Sequence, residues 1–158
     1  MATSREELMR RAIDLAVDNV RRRMGGPFAA LVVRQGRVIA EGTNRVTTEN
    51  DPTAHAEIVA VRTACQTLGT FDLAGCEVYA SCEPCPMCLG ALYWARIDRL
   101  WFAADREAAA AAGFDDALIY REVPLPPEQR VLPTSRLSTG VAGAPFTAWA
   151  ELADRVEY

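Results

Sequence analysis

The chain of 158 residues contains one histidine. It has no run approaching the ~18 apolar residues that a membrane-spanning helix requires, so no membrane partner is expected. No basic start followed by an apolar stretch and a cleavage site is present, which argues against a signal peptide. Cations are not in excess: 17 Lys and Arg stand against 21 Asp and Glu, for a formal net charge of −4. An extended nucleic-acid track needs clustered lysine and arginine, so nucleic acid is not expected as a partner. The short run Arg21-Arg22-Arg23 reads as a solvated helix end favoured by the helix dipole. Cys65, Cys76, Cys82, Cys85 and Cys88 are odd in number, and their spacing does not form a disulfide framework. A cytoplasmic protein with reduced thiols is the simplest reading. Internal repeats and domain linkers are also missing. Residues 1–158 therefore read as one domain, long enough to bury roughly 68–70% of the unfolded surface.

What is present is an alternation of strand and helix signals. Ser4-Arg5-Glu6-Glu7 fits a capping box. Leu8, Ala12, Leu15, Ala16 and Val20 then repeat at helical spacing until Gly25-Gly26-Pro27. Residues 28–34 and 37–42 read as two strands turning at Gln35-Gly36, and a polar loop follows over 44–53. A helix is expected from near Ala54 to a C-cap at Gly69. After it come a strand over 76–81, a helix from about 84–86 to 96, a strand over 98–104 and a helix over 107–112. Residues 131–137 read as a last strand and 144–156 as a helix with Phe146, Trp149, Leu152 and Val156 on one side. This order predicts an α/β protein, a three-layer α/β/α sandwich around a mixed sheet of about five strands.

The chemistry-bearing residues fall at the starts of two of these helices. His55-Ala56-Glu57 precedes one, and Pro84-Cys85-Pro86-Met87-Cys88 opens the other. An imidazole and two thiols suit a tetrahedral zinc ion whose fourth ligand is water or hydroxide. Cys85 and Cys88 share a helical face, and a helix N-terminus favours their thiolate forms. Zinc lowers the pKa of water from about 15.7 to about 7, on the order of 12 kcal/mol toward hydroxide. Glu57 stands beside the metal as the group that moves protons, a contribution typically worth ~10²–10⁴ in rate. The pattern resembles the signature of zinc deaminases acting on nucleobases. A duller alternative is a structural zinc closed by Cys82 as fourth ligand, which would leave Glu57 without a role. Cys65 and Cys76 read as small buried hydrophobes.

Longer stretches extend the likeness. Gly25-Gly26-Pro27-Phe28, Asn50-Asp51-Pro52-Thr53-Ala54-His55-Ala56-Glu57, Ser81 through Ala91, Tyr93-Trp94-Ala95-Arg96, Gly113-Phe114-Asp115-Asp116 and the ending Glu157-Tyr158 resemble bacterial guanine deaminases of the cytidine-deaminase fold. The resemblance implies hydrolysis of guanine, a small purine base, to xanthine and ammonia. It implies one Zn²⁺ per site on His55, Cys85 and Cys88, with Glu57 as proton shuttle and Asp116 as a second acid near the departing amine. It implies substrate contacts from Asn44, Phe28, Ala56, Trp94 and Tyr158. It also implies a homodimer in which the C-terminal tail, about 144–158, is exchanged so that Tyr158 closes a neighbouring site.

The residues alone leave other assignments open. Asp115 and Asp116 also fit as N-terminal helix acids, Asn44 as a turn residue, and Trp94 and Phe28 as core. Tyr158 also fits a frayed end. Rival activities are deamination of guanosine, cytosine or ammeline, and, less favoured by the charge, of tRNA adenosine. A non-enzymatic zinc-stabilised binding module is the remaining alternative.

Overall fold

The computed structural model describes residues 3–158 and resolves into two compact units, the first ending at Asp116 and the second spanning Ala117–Tyr158. The first unit opens with α1 (Arg5–Arg21). Its capping box forms as the sequence predicts. The Ser4 hydroxyl accepts from the Glu7 amide at 3.2 Å, and the Glu7 carboxylate accepts from the Ser4 amide at 2.8 Å. The buried side of α1 is Leu8, Ala12, Ala16 and Asn19. Val20, which its spacing puts in the apolar stripe, is 47% exposed. The inward position of the last turn meets backbone carbonyls rather than apolar side chains, so an amide occupies it in place of a hydrocarbon.

The hairpin is β1 (Ala29–Arg34) and β2 (Arg37–Thr43), paired antiparallel. Gln35 and Gly36 both take positive φ, 52° and 73°, as a two-residue turn matching strand twist requires. β3 (Cys76–Cys82) pairs antiparallel with β1, and β4 (Arg99–Ala104) pairs parallel with β3. The sheet is mixed, as expected, but it has four strands in the order β2-β1-β3-β4 rather than five. Residues 131–137 form no strand. Pro133 interrupts them, and Val131, Leu132 and Leu137 are exposed, so there is neither a complete set of ladder donors nor a buried face to hold one.

Alternation along the central strands builds the three layers. Leu31, Val33 and Tyr79 point to one face, where Leu8 and Ala12 of α1 meet them. Ala30, Val32 and Val78 point to the other. A single-turn helix, α2 (Val46–Glu49), lies within the loop read as irregular. It leads to α3 (Ala56–Leu68), whose Ala56, Ala60 and Ala64 cover that second face together with Leu92 of α4 (Pro86–Trp94). α3 ends at Gly69, in the left-handed conformation at φ 66°. Cys76 is buried and Cys65 packs beside it, both free thiols acting as small hydrophobes. The unit closes with α5 (Arg106–Ala111), capped by the Asp105 carboxylate accepting from the Ala108 amide at 2.9 Å.

The second unit holds α6 (Ala117–Glu122), a 3-10 turn at Pro127–Gln129 and α7 (Ala144–Glu151). α7 is shorter than the 144–156 helix expected. Leu152 is already extended, so Val156 lies beyond the helix that was to carry it. None of residues 117–158 is buried.

Close approach of β2 to α3 places the start of α3. A methyl group on Gly42 would collide with the Ala56 carbonyl oxygen and the Ala60 amide nitrogen. Those atoms are helix backbone and cannot swing aside. Gly42→Ala is therefore expected to cost about 3 kcal/mol, toward the upper end of overpacking penalties. It should also displace the first turn of α3. Chemical denaturation and metal content measured on the same variant check both effects.

Candidate active site

Two helix starts converge at one end of the sheet. The loop before α3 is shaped by Asp51, whose Oδ1 accepts from the Thr53 amide at 2.8 Å and the Thr53 hydroxyl at 2.7 Å. The Arg45 amide donates to the Ala54 carbonyl at 2.9 Å, which ties the end of that loop to its beginning. His55 follows as the extended N-cap of α3 (φ −67°, ψ 155°). Cys85 occupies the same position on α4 (φ −65°, ψ 168°), and Pro86 fills the first helical position, where no backbone donor is needed. Cys88 lies in that first turn and is fully buried.

The result is one cluster. His55 Nδ1 lies 3.6 Å from Cys85 Sγ and 3.5 Å from Cys88 Sγ. All three ligand atoms fall within 4.8 Å of one another. A tetrahedral zinc with ordinary Zn–N and Zn–S bonds has an N–S edge of about 3.5 Å, so the donor set and its spacing fit that ion. Cys82 does not join the cluster. Its Sγ lies 3.6 Å from the Asp105 carbonyl, and burial pushes its thiol up to about 11. Among the described residues the group has three protein ligands, which disfavours the closed structural site.

Electrostatics in the pocket reflect burial and shared protons. Hydrogen bonding from Cys88, with a further contribution from His55, holds the Cys85 thiol down at about 4. Cys88, the donor in that pair, is pushed up. The hydrogen bond to Cys85 raises His55 above its ordinary value. Glu57 is 8% exposed, its Oε2 lying 3.4 Å from Cys88 Sγ, and burial raises its proton affinity. A carboxyl poised in this way can both accept and return a proton.

Asn44 is buried, with its amide oriented by the backbone. Its Oδ1 accepts from the Gly26 amide at 3.1 Å and the Val46 amide at 3.3 Å, which turns the Nδ2 donors away from those partners. Phe28 is half-buried and meets Phe114 edge-on, with ring centroids 4.9 Å apart. Ala56 is fully buried, and its amide, first in α3, makes no hydrogen bond to any described residue. Asp116 is half-buried, and burial followed by the negative charge of Cys85 raises it. Trp94 ends α4 at 69% exposure, so it is not a core residue, and Tyr158 is exposed.

Two features of the site escape a reading along the chain. Phe114 carries the segment of Asp115-Asp116 against Phe28. Asn19 donates from Nδ2 to the Gly26 carbonyl at 2.9 Å and the Asn44 carbonyl at 3.0 Å. Its signal lies in the spacing Leu8, Ala12, Ala16, Asn19, which puts a polar side chain on the buried side of α1.

Comparison with known proteins agrees with the geometry. Residues 2–104 match the family model described as the cytidine and deoxycytidylate deaminase zinc-binding region. The chain is 50% identical over 153 residues to guanine deaminase of Bacillus subtilis (strain 168), covering 97% of this chain and 98% of that protein. The X-ray structure of guanine deaminase from Bacillus subtilis superposes with a TM-score of 0.97 at 49% identity, covering 99% of both chains. A tRNA-specific adenosine deaminase of Agrobacterium fabrum (strain C58) is 49% identical over 78 residues, covering 49% of this chain and 51% of that protein.

Metal analysis by mass spectrometry separates an open site from a closed one. Cys82→Ser is expected to retain one zinc per chain, whereas Cys85→Ser and Cys88→Ser should lose most of it. Loss of zinc from Cys82→Ser would make that residue a ligand.

Proposed function

The chain belongs to the cytidine and deoxycytidylate deaminase zinc-binding family, and on that premise we infer that it hydrolyses guanine to xanthine and ammonia. The observation that carries this reading is the extent of the likeness to guanine deaminase, 97% of the chain. The family region alone stops at residue 104, and the tRNA deaminase match spans about half the chain. The net charge of −4 further disfavours a tRNA substrate.

His55, Cys85 and Cys88 are the residues that would hold the zinc. When bound, the ion supplies Lewis acidity that makes water a competent nucleophile near neutral pH. The remaining work falls to side chains. Glu57 takes a proton from the attacking water and passes it to a ring nitrogen beside C2. It then takes the second proton from the hydroxyl now on C2 and delivers it to the exocyclic amine, so that the C2–N bond breaks, ammonia leaves and the C2 oxygen becomes a carbonyl. Its burial supports this role, because proton affinity raised above that of an ordinary carboxylate makes it a stronger base toward water, while the protonated carboxyl remains able to return the proton. Asp116 is assigned as the second acid on the side where the amine departs, supported by its coupling to the charge at Cys85. The oriented Nδ2 of Asn44 suits an acceptor on the base, and the open amide of Ala56 suits a carbonyl oxygen. Phe28 packs on the ring. Trp94 and Tyr158 are assigned to the rim of the site, in keeping with their exposure.

We also infer a homodimer that exchanges the C-terminal segment, Tyr158 of each copy closing the site of the other. The support is that Phe146, at 78% exposure, and Trp149, Leu152 and Val156 all remain in contact with solvent in a single copy. No helix among the described residues is long and apolar enough to cross a membrane. Five free cysteines, two of them at the metal cluster, favour the reducing cytoplasm.

An ammonia-release screen of the zinc-loaded protein over guanine, guanosine, adenine, cytosine, cytidine and ammeline tests the assignment. Guanine is expected to release ammonia and yield xanthine; release from another member but not guanine would reassign the substrate. Glu57→Ala should keep its zinc yet lose about 10²–10⁴ in turnover, whereas unchanged ammonia release would remove Glu57 from the reaction. Deleting residues 152–158 should lower kcat/KM about tenfold with little change in Tm, since the loss is of site closure rather than core. Equal kinetics with and without the tail would argue against closure.

A further inference from the structure

We propose that Asn19 is a positioning residue for base binding. It lies on α1, outside the pocket, and acts through Asn44 and Phe28; the inference rests on the reading of those two residues as the base-contacting groups. Asn19 is 4% exposed, and the hydrogens of its one Nδ2 group reach two carbonyls, Gly26 at 2.9 Å and Asn44 at 3.0 Å. The bonds among these residues close on themselves. The Gly26 amide donates to Asn44 Oδ1 at 3.1 Å, so the residue whose carbonyl Asn19 grips is also the residue whose amide orients the Asn44 side chain. The Phe28 amide donates to the same Gly26 carbonyl at 2.9 Å, and the Asn44 amide donates to the Phe28 carbonyl at 3.0 Å. A single buried amide therefore fixes the backbone beneath both base-contacting side chains.

The clamp is tight on its other sides as well. The Met24 amide donates to the Asn19 carbonyl at 3.0 Å, anchoring the turn that leaves α1. A methyl group on Gly25 would strike the Asn44 carbonyl oxygen, so the chain has no slack with which to re-form the contact from another residue. None of these atoms belongs to the His55, Cys85 and Cys88 cluster or to Glu57. Loss of Asn19 should therefore loosen substrate binding while leaving the metal and the proton shuttle in place. That separates it from a side chain that merely holds the fold together.

Steady-state kinetics with guanine on zinc-loaded Asn19→Ala, Asn44→Ala and the double variant test this. Asn19→Ala is expected to raise KM about tenfold, the size of one to two lost buried hydrogen bonds. kcat should stay within about threefold and zinc content should be unchanged. The double variant should lose less than the two single losses combined, because both changes remove the same oriented Asn44 donor and only the share carried through Phe28 remains. Should Asn19→Ala fail to fold, Asn19→Ser keeps one hydroxyl donor at the position, buries no charge and removes the double contact, and a KM rise in the same direction is expected. An unchanged KM in the Asn19 variants beside a raised KM in Asn44→Ala overturns the proposal and leaves the base-binding role of Asn44 standing. Additive losses in the double variant, or a fall in kcat with KM unchanged, also overturn it. An unchanged KM in Asn44→Ala overturns the role of Asn44 and this inference with it.

Discussion

Three ligand atoms must meet within 4.8 Å, although one comes from the start of α3 and two from the start of α4. Much of the molecule can be understood as the apparatus that enforces this meeting. Both ligand-bearing helices begin at the residue that does the binding, with His55 and Cys85 as extended N-caps. Neither side chain bonds back to cap its own helix, so each can face the ligand cluster with the positive end of a helix dipole beside it, which suits thiolates. The sheet then sets the distance between the two starts. α3 lies close on β2 across Gly42, and α4 follows β3 after a connection too short to wander.

The same end of the sheet divides its work between two kinds of polar group. Glu57 is one residue into α3 beyond Ala56 and is buried, so it carries a carboxyl with raised proton affinity to the edge of the metal cluster. Asn44 approaches from the end of β2 and is oriented by backbone donors, without a charge. On the proposed reading, chemistry and recognition rest on separate supports. The first depends on helix starts. The second depends on a loop that α1 holds through one asparagine.

Much of this was legible along the chain. Helix starts and strands were marked by local signals: the Ser4–Glu7 capping box, the Gln35-Gly36 turn, Gly69 and the Pro86 between two cysteines. These depend on a few neighbouring residues, and the structure realises them within one or two positions. The errors came where a local signal had no tertiary partner. Val131, Leu132 and Leu137 have strand-like chemistry, but no face exists to bury them and Pro133 breaks the ladder. Val20 fits the helical period, yet Asn19 goes inward, because carbonyls wait at that place and an amide satisfies them. No periodicity rule can anticipate carbonyls contributed by residues 26 and 44.

The sequence by itself determined the ligand types, their attachment to helix starts and the acid beside them, because spacing within one turn of helix is a property of neighbours. Tertiary structure alone decided that Cys82 stands apart from the other three, since a strand end and a helix start point their sulfurs to different places. It likewise decided that Phe114 meets Phe28 and that Asn19 sits beneath Asn44. Those contacts join residues far apart along the chain, and folding in three dimensions is what brings them within bonding distance.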